Sequence, residues 1–413
     1  MKILHTSDWH LGQTLHLQNR DEEHSLFLEW LVETIIQNDI ECLIHTGDVF
    51  DVGNPSNSSR ELYFSFLSKL KNTKCKTTII IAGNHDSPMM LQHTSPILAK
   101  LHIFVITTAQ NSLQVIPISN SNNELVALCC PIPYLRDQDL LLYKQDESIE
   151  DTKERLRLAI ESFYTIAYET AQQQNPQNVP IIVTGHLVAH KGELSESQSE
   201  RPIHRQNFGE LQTANLPEGI GYVALGHLHK PQQIHGGVFT QYAGSPIPLS
   251  FQEVSYKHSI VVLTINGISI KSERIPIPRF RALLRISITS IEEFETNVRT
   301  ALENNINTLS PTWIECEFVD SILTDTIRND IQTIAQRYDA VILKFIQTFS
   351  QVTEKTEFTN IQRDINSYSE YDMFALALES NSVRYSDEEK LELHDIFVDA
   401  FEEFRNSHLE GKQ

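Results

Sequence analysis

Five apolar runs along the chain stop abruptly at polar residues. Residues 2–7 end at Asp8-Trp9-His10, 41–46 at Gly47-Asp48 with Asp51 close behind, and 77–82 at Gly83-Asn84-His85-Asp86. Residues 179–184 end at Gly185-His186, and 222–225 at Gly226-His227-Leu228-His229. A short apolar run bounded in this way reads as a buried strand. In an open α/β sheet the carboxyl ends of such strands are where a site forms. Between the first runs the period becomes helical: Leu26, Phe27, Trp30, Leu31, Val32, Ile35 and Ile36 give 22–38 a broad apolar face. A second helix is predicted over 59–70. This order of strands and helices predicts an α/β sandwich.

Residues 103–107, 113–118 and 125–131 read as extended and partly antiparallel, and Leu156, Ile160, Phe163 and Ala167 mark another helix. The polar excursion 190–208 reads as a rim to the site. Strands over 239–242, 259–265 and 268–275 continue the sheet, with Asn266-Gly267 as a hairpin signal. Pro276 and Pro278 mark a boundary. Beyond it, strands at 281–288, 313–319 and 340–349 alternate with helices at 292–304 and 324–336, a small α+β unit. From 351 the chain turns polar, with a short helix expected at 371–379 and a longer one at 387–405. The apolar stripe of the latter (Leu391, Leu393, Ile396, Phe397, Ala400, Phe401, Phe404) suits either packing on its own domain or docking in a partner groove.

A length of 413 residues exceeds what one core usually holds. The formal net charge of −21 argues against a free-standing nucleic-acid binder, so contact with DNA would need a local patch, bound cations or a partner. Arg274, Arg279, Arg281 and Arg285, with Lys257 and Lys271, are candidate phosphate contacts, and Arg60 lies at a helix start near the site; scattered surface charge is the plainer reading. The five cysteines show no metal-type spacing, and Cys129-Cys130 reads as core packing in a reducing compartment. With no apolar span for a membrane, a cytoplasmic protein is expected.

Asp8, His10, Asp48, Asn84, His186, His227 and His229 offer carboxylate, amide and imidazole donors without a thiolate. That set suits Mn²⁺, Fe²⁺ or Mg²⁺. Seven donors are too many for one such ion and about right for two sharing a ligand, an arrangement that hydrolyses phosphoesters. The two-residue spacing of Asp8/His10 and of His227/His229 would put each pair on one side of an extended segment. The glycines before the ligands would allow a tight turn and close backbone approach.

The order D-x-H, G-D-x-x-D, G-N-H-D, G-H and G-H-x-H resembles the calcineurin-like metallophosphoesterases. More closely, the chain is similar to the SbcD family, the nuclease subunits of bacterial SbcCD complexes and counterparts of the recombination-repair nuclease of archaea and eukaryotes. The strings ILHTSDWHLGQ (3–13), RDEEHSLFLEWL (20–31), HTGDVFDVGNPS (45–56), AGNHDSP (82–88), ALGHLHKPQ (224–232) and YAGSPIPLSF (242–251) carry the likeness. The last string and Trp9 belong to the SbcD-like branch more than to phosphoesterases in general.

The resemblance implies a metallophosphoesterase nuclease domain over 1–277, an α+β capping domain over 278–350, and a linker with C-terminal helices over 351–413 that bind an SbcC-like coiled-coil ATPase. Asp8, His10, Asp48 and His229 would hold one metal and Asp48, Asn84, His186 and His227 the other, with Mn²⁺ favoured. His85 would be the catalytic histidine on the leaving-group side. Asp86 is assigned an orienting place, and so is Asp51, where archaeal members carry a histidine. ATP would bind the partner, since this chain has no G-x-x-x-x-G-K-[ST]. A homodimer through helices 22–38 and 59–70, within a 2:2 heterotetramer acting on duplex ends, hairpins and single strands near the nucleoid, is the expected assembly. The competing expectations are a phosphatase or cyclic-nucleotide phosphodiesterase of the same superfamily, and a catalytically silent structural component of a DNA-tethering complex.

Overall fold

The computed structural model describes residues 1–109, 113–140, 149–193, 210–303, 309–319 and 323–348. The expected helices at 371–379 and 387–405, and most of the expected rim at 190–208, lie outside these residues.

The chain opens with β1 (Lys2–Thr6), a hairpin of β2 (Thr14–Leu15) and β3 (Gln18–Asn19), α1 (Asp21–Gln37), β4 (Cys42–Thr46), α2 (Asn57–Leu70), β5 (Thr77–Ile81), α3 (Pro88–Ala99) and β6 (Ile103–Ile106). Then follow β7 (Ile116–Ser119), β8 (Leu125–Cys130), α4 (Asp137–Leu140), α5 (Ile149–Gln173), β9 (Ile181–His186), β10 (Ile220–Gly226), β11 (Gln232–Ile234), β12 (Thr240–Tyr242), β13 (Ser259–Asn266) and β14 (Ser269–Pro276). Apart from the β2–β3 hairpin, these strands form two six-stranded sheets, ordered β14-β13-β1-β4-β5-β6 and β11-β12-β10-β9-β8-β7. Within them β1, β4, β5 and β6 run parallel, as do β8, β9, β10 and β12.

The sheets face each other, which is why the strands read as unbroken apolar runs: both faces are buried. Ile3, Cys42, Ile44 and Ile79 of one sheet meet Cys129, Ile182, Tyr222 and Ala224 of the other. The alternate residues Leu4, Leu43 and Ile80 point outward against Phe27, Leu31 and Phe66 of α1 and α2. On the far side Leu128, Ile181, Val183 and Val223 pack beneath Ile160, Tyr164 and Ala167 of α5. The result is a four-layer sandwich in which the strand ends that carry polar residues share one edge.

Beyond β14 come β15 (Arg281–Ile288), α6 (Ile291–Glu303), β16 (Leu309–Val319), α7 (Asp325–Arg337) and β17 (Ala340–Thr348), a three-stranded parallel sheet with its own cluster around Phe294, Ile314, Phe318 and Ile331. Its other face docks on the sandwich through Leu283 and Trp313, which pack with Leu15 and Phe251. Met1–Ser350 forms one compact unit. Among the described residues no helix is long and apolar enough to cross a membrane.

The interior holds several histidines that burial keeps neutral. His5, between the sheets, bonds Tyr222 Oη and Thr46 Oγ1, both at 3.0 Å, and burial lowers it to about 3. Burial likewise brings His45 to about 3, and His24 and His258 to about 4. An unfolded chain takes up protons on these rings near 6.5, where the folded chain does not. They therefore contribute stability that is fully present above about 6.5 and is lost progressively as pH falls from there to the folded values near 4 and 3. Asp86, pushed up to about 6 by burial and by Asp48, works in the opposite direction over part of that range. Urea unfolding of the metal-free protein is expected to show stability falling below neutral pH, by ~1 kcal/mol per pH unit for each such ring. Stability that stays flat from neutral pH down to about 5 would contradict it.

Candidate metal centre

Asp8 and His10 lie on the loop after β1, Asp48 on the loop after β4, and Asn84 and His85 after β5; His186 closes β9, and His227 and His229 follow β10. All are buried except the partly exposed Asn84. The loops after β1 and β4 continue to pair beyond their strands, with Asp8 N–H donating to the Gly47 carbonyl (3.0 Å) and His10 N–H to the Asp48 carbonyl (3.0 Å).

This backbone is not extended, contrary to the expectation from the two-residue spacing. Asp8, His10, Asp48 and His227 all have left-handed φ, at 52°, 46°, 55° and 98°. Trp9 between the first two is 1 % exposed, donates from Nε1 to Thr6 Oγ1 (2.9 Å) and packs edge-on against His45, Phe66 and Phe27. Anchoring this ring fixes the turn, and the turn aims its two neighbours into the site. Of the glycines before the ligands, only Gly47 occupies a left-handed turn (φ 92°). Gly83 and Gly226 are required for space, since a Cβ would strike Asp48 at the first and the Thr46 carbonyl and Ser7 Oγ at the second.

Asp48 Oδ2 lies 3.5 Å from His10 Nε2 and 3.2 Å from His186 Nε2, while its Oδ1 accepts the His85 N–H at 2.8 Å. His186 Nε2 also lies 2.9 Å from Asn84 Oδ1. Asp8 Oδ1 accepts the His227 N–H at 3.0 Å, and the His227 ring sits edge-on to His186 with centroids 5.4 Å apart. Two triads bring their ligand atoms within 4.8 Å of one another, Asp8/His10/His229 and Asp8/Asp48/His186. A third joins His10, Asp51 and His85. His227 is thus drawn against the cluster but belongs to none of the three. Asp8 Oδ2 and His10 Nε2 are buried without a hydrogen-bond partner among the described residues. Unmatched atoms of this kind, buried within a cluster of carboxylates and imidazoles, fit divalent cations.

The electrostatics agree. Burial raises the Asp8 carboxyl. Burial acts on Asp48 too, but His186, hydrogen-bonded to it, and His10 hold it well below the usual carboxylate range. Burial opposes charge on His186, yet Asp48 and Asp8 raise it to about 9, so without metal a proton on this ring balances the carboxylates. His227, buried beside that charge, is driven well below its ordinary value.

Asp86 takes no ligand position. Its carboxylate accepts the N–H groups of Gly83 (2.9 Å), Phe50 (3.0 Å) and Val49 (3.2 Å), clipping the β4 and β5 loops together. Asp51 bonds His10 Nδ1 at 3.1 Å, and its carbonyl bonds His85 Nδ1 at 2.7 Å. Glu253, absent from the residues the sequence suggested, bonds His229 Nδ1 at 3.0 Å. No motif marks it; it is one more acidic residue until the fold places it.

The arginines considered for phosphate contact are engaged in the fold instead. Arg274 donates to the Gln232 and Tyr242 carbonyls, Arg279 to that of Val254, and Arg281 to that of Pro311 while stacking on Trp313. Arg285 pairs with buried Glu315, and Arg60 bonds Asn54. Lys257 and Lys271 stay exposed.

An Asp86→Asn substitution leaves one acceptor oxygen for three backbone donors. It is expected to cost about 1–3 kcal/mol in the metal-free protein and to weaken divalent-metal binding by loosening Asp48. Denaturant unfolding and metal titration measure the two effects; wild-type values for both would refute the clip.

Comparison with known proteins places this site in a family. The family described as calcineurin-like phosphoesterase matches residues 1–231. The chain is similar to SbcD of the SbcCD nuclease of Escherichia coli K12, 34% identical over 336 residues that cover 80% of each protein. It is 31% identical to SbcD of Rhodobacter capsulatus over 296 residues, 69% of this chain and 71% of the relative. With SbcD of Bacillus subtilis it shares 31% over 266 residues, 64% and 66% of the two. The chain that brings these seven donors to one edge of a double sheet therefore belongs to the calcineurin-like phosphoesterases, in the SbcD family.

Proposed function

We propose that the protein is the nuclease component of an SbcCD-type DNA repair complex and hydrolyses DNA phosphodiesters with two divalent metal ions. The observation that carries this reading is the buried convergence of donors from five strand ends, with Asp8 Oδ2 and His10 Nε2 lacking a hydrogen-bond partner among the described residues, in a chain of the SbcD family. Asp8, His10, Asp48 and His229 would hold one ion, and Asp48, Asn84, His186 and His227 the other. The proximity of Asp48 Oδ2 to both His10 and His186 supports its shared place. The donor set suits Mn²⁺, with Mg²⁺ and Fe²⁺ acceptable to the same atoms. Two bound ions would polarise the phosphoryl group and supply an activated water.

The protein's own groups do the rest. Asp51 orients His10, and Asp86 holds the loops in register. His85 donates from Nδ1 to the Asp51 carbonyl, which fixes the plane of its ring beside His10, with centroids 4.7 Å apart. This supports Nε2 as the atom that gives a proton to the leaving oxygen.

Substrate choice and ATP dependence are assigned to the assembly: a capping domain at 278–350, C-terminal helices at 351–413, and an SbcC-like coiled-coil ATPase that binds ATP and carries most of the DNA affinity. The internally committed arginines and the net charge of −21 support that division. With its partner the protein would act as a double-strand exonuclease and as an endonuclease on single strands and hairpins. A homodimer within a 2:2 complex would form through α1 and α2. A hollow of about 310 Å³ beside α2 is lined by Phe64, Leu67, Leu98 and Leu101.

His85→Ala is expected to retain both metals and lose activity by about 10²–10⁴-fold, whereas Asp48→Ala loses metal and activity together. Metal analysis beside single-turnover cleavage of an end-blocked duplex, with partner and ATP, reads both; normal cleavage by Asp48→Ala would refute the mechanism. Plasmid DNA, a hairpin oligonucleotide and a chromogenic phosphodiester, compared with Mn²⁺ present, separate the substrate classes. Turnover of the small ester alone, even with partner and ATP, would favour a small-substrate phosphodiesterase.

A further inference from the structure

The segment 242–251, distinctive in the sequence, contributes nothing to the proposed ligand set, yet it surrounds one of the ligands. Three candidate imidazoles have Nδ1 held by a protein oxygen, and Nε2 of His10 and of His186 lies within 3.5 Å of Asp48 Oδ2. His186 uses the Thr46 carbonyl (2.8 Å), His10 the Asp51 carboxylate (3.1 Å) and His229 the Glu253 carboxylate (3.0 Å). Glu253 is fully buried in the short helical turn Phe251–Ser255, and its second oxygen accepts the Leu249 N–H at 2.8 Å. The backbone of His229 is held by the same stretch, its carbonyl accepting the Ser245 N–H at 3.0 Å.

The other side of that turn faces the small sheet. Phe251 and Val254 pack with Leu283, Trp313 and Leu343, and the Val254 carbonyl accepts from Arg279 at 2.9 Å. Arg281, stacked on Trp313, lies 3.7 Å from Glu23, which Arg20 grips through two hydrogen bonds while also donating to the Pro248 carbonyl. A buried chain of contacts thus runs from the small sheet through segment 245–255 to a single histidine of the site.

We propose that Glu253 is a positioning residue for His229, fixing its Nδ1–H tautomer, aiming Nε2 at Asp8 and His10, and tying that half of the metal site to the docking of the small sheet. This inference rests on the two-metal reading above. An imidazole without an anchor can present either nitrogen and can rotate about its ring bond. A buried carboxylate acceptor removes both freedoms and makes the inward nitrogen a better donor to a cation. Two N–H groups, from His229 and Leu249, converge on Glu253 and need two acceptors. Glutamine at this position offers one oxygen and one NH₂, so one of the two donors must then face another donor. The anchors of His10 and His186 are separate residues, so the half-site built on Asn84 and His186 is insulated from the change.

Calorimetric titration of the full-length, metal-free protein with Mn²⁺, with Co²⁺ absorption as a spectroscopic check, tests the proposal. Wild type should bind two ions. Glu253→Gln should weaken one of them about 10–100-fold and leave the other at its wild-type affinity. Trp313→Ala should weaken the same ion to a smaller extent. Glu253→Gln with two wild-type affinities, or with both weakened alike, would overturn the positioning role; Trp313→Ala with two wild-type affinities would overturn the link to the sheet. Should Glu253→Gln fail to fold, the tautomer can be read in the wild type by histidine ¹⁵N spectroscopy, assigned with His229→Gln, and a His229 ring protonated on Nε2 alone refutes the proposal. A wild type that binds fewer than two ions sinks the two-metal reading itself, a result distinct from failure of this inference.

Discussion

The site depends on β1 and β4 continuing to pair after they stop being strands. Regular pairing, continued in the register of β1 and β4, would leave Asp8 and His10 on one face and put Asp48 on the other. Instead each adopts a left-handed conformation, at about 1–2 kcal/mol per residue. The hydrogen bonds from Asp8 to Gly47, from His10 to Asp48 and from Leu11 to Val49 hold the two loops side by side through the distortion. The buried Trp9 ring and the Asp86 clip offset the strain on either side. Strain of this kind persists only where the surroundings over-determine it, and here packing, backbone bonding and a buried carboxylate all specify one conformation.

That constraint explains what the sequence could and could not disclose. The sandwich was legible because strands buried on both faces leave unbroken apolar runs, and the candidate donors because each sits where such a run ends. The edges of β1, β4, β9 and β10 moved by no more than a residue or two from expectation. The backbone that presents the ligands was not legible. Spacing alone suggested extended pairs at Asp8/His10 and His227/His229, whereas left-handed turns at Asp8, His10 and His227 present them. The glycines were visible, but the reason for Gly83 and Gly226 is the volume of Asp48, Thr46 and Ser7, which only a folded chain brings near. Glu253 was invisible for the same reason, since its relation to His229 is spatial and belongs to no motif.

The arginines teach a related lesson about charge. On a chain of −21, basic residues near a domain boundary invite assignment to phosphate. Arg20, Arg274, Arg279 and Arg281 are instead partly or wholly buried and spend their donors on backbone carbonyls or on Glu23. A guanidinium presents several donors in a fixed plane and so can satisfy several carbonyls of an irregular segment at once. In the stretch around 245–258, poor in regular structure, Arg20 and Arg279 hold the Pro248 and Val254 carbonyls in this way.

Asp8, His10, Asp48 and Asn84 belong to one sheet of the sandwich, and His186, His227 and His229 to the other. The centre therefore straddles a seam rather than lying within a single layer. Between the sheets are apolar contacts and a few polar links, among them His5 with Tyr222 and Thr46 and Arg274 with the Gln232 and Tyr242 carbonyls, and apolar surfaces alone set no unique alignment to a fraction of an ångström. Ligand distances do. A centre at this seam would act as a gauge between two layers: a small slip of one sheet over the other would be felt first as a change in coordination, long before it disturbed the core.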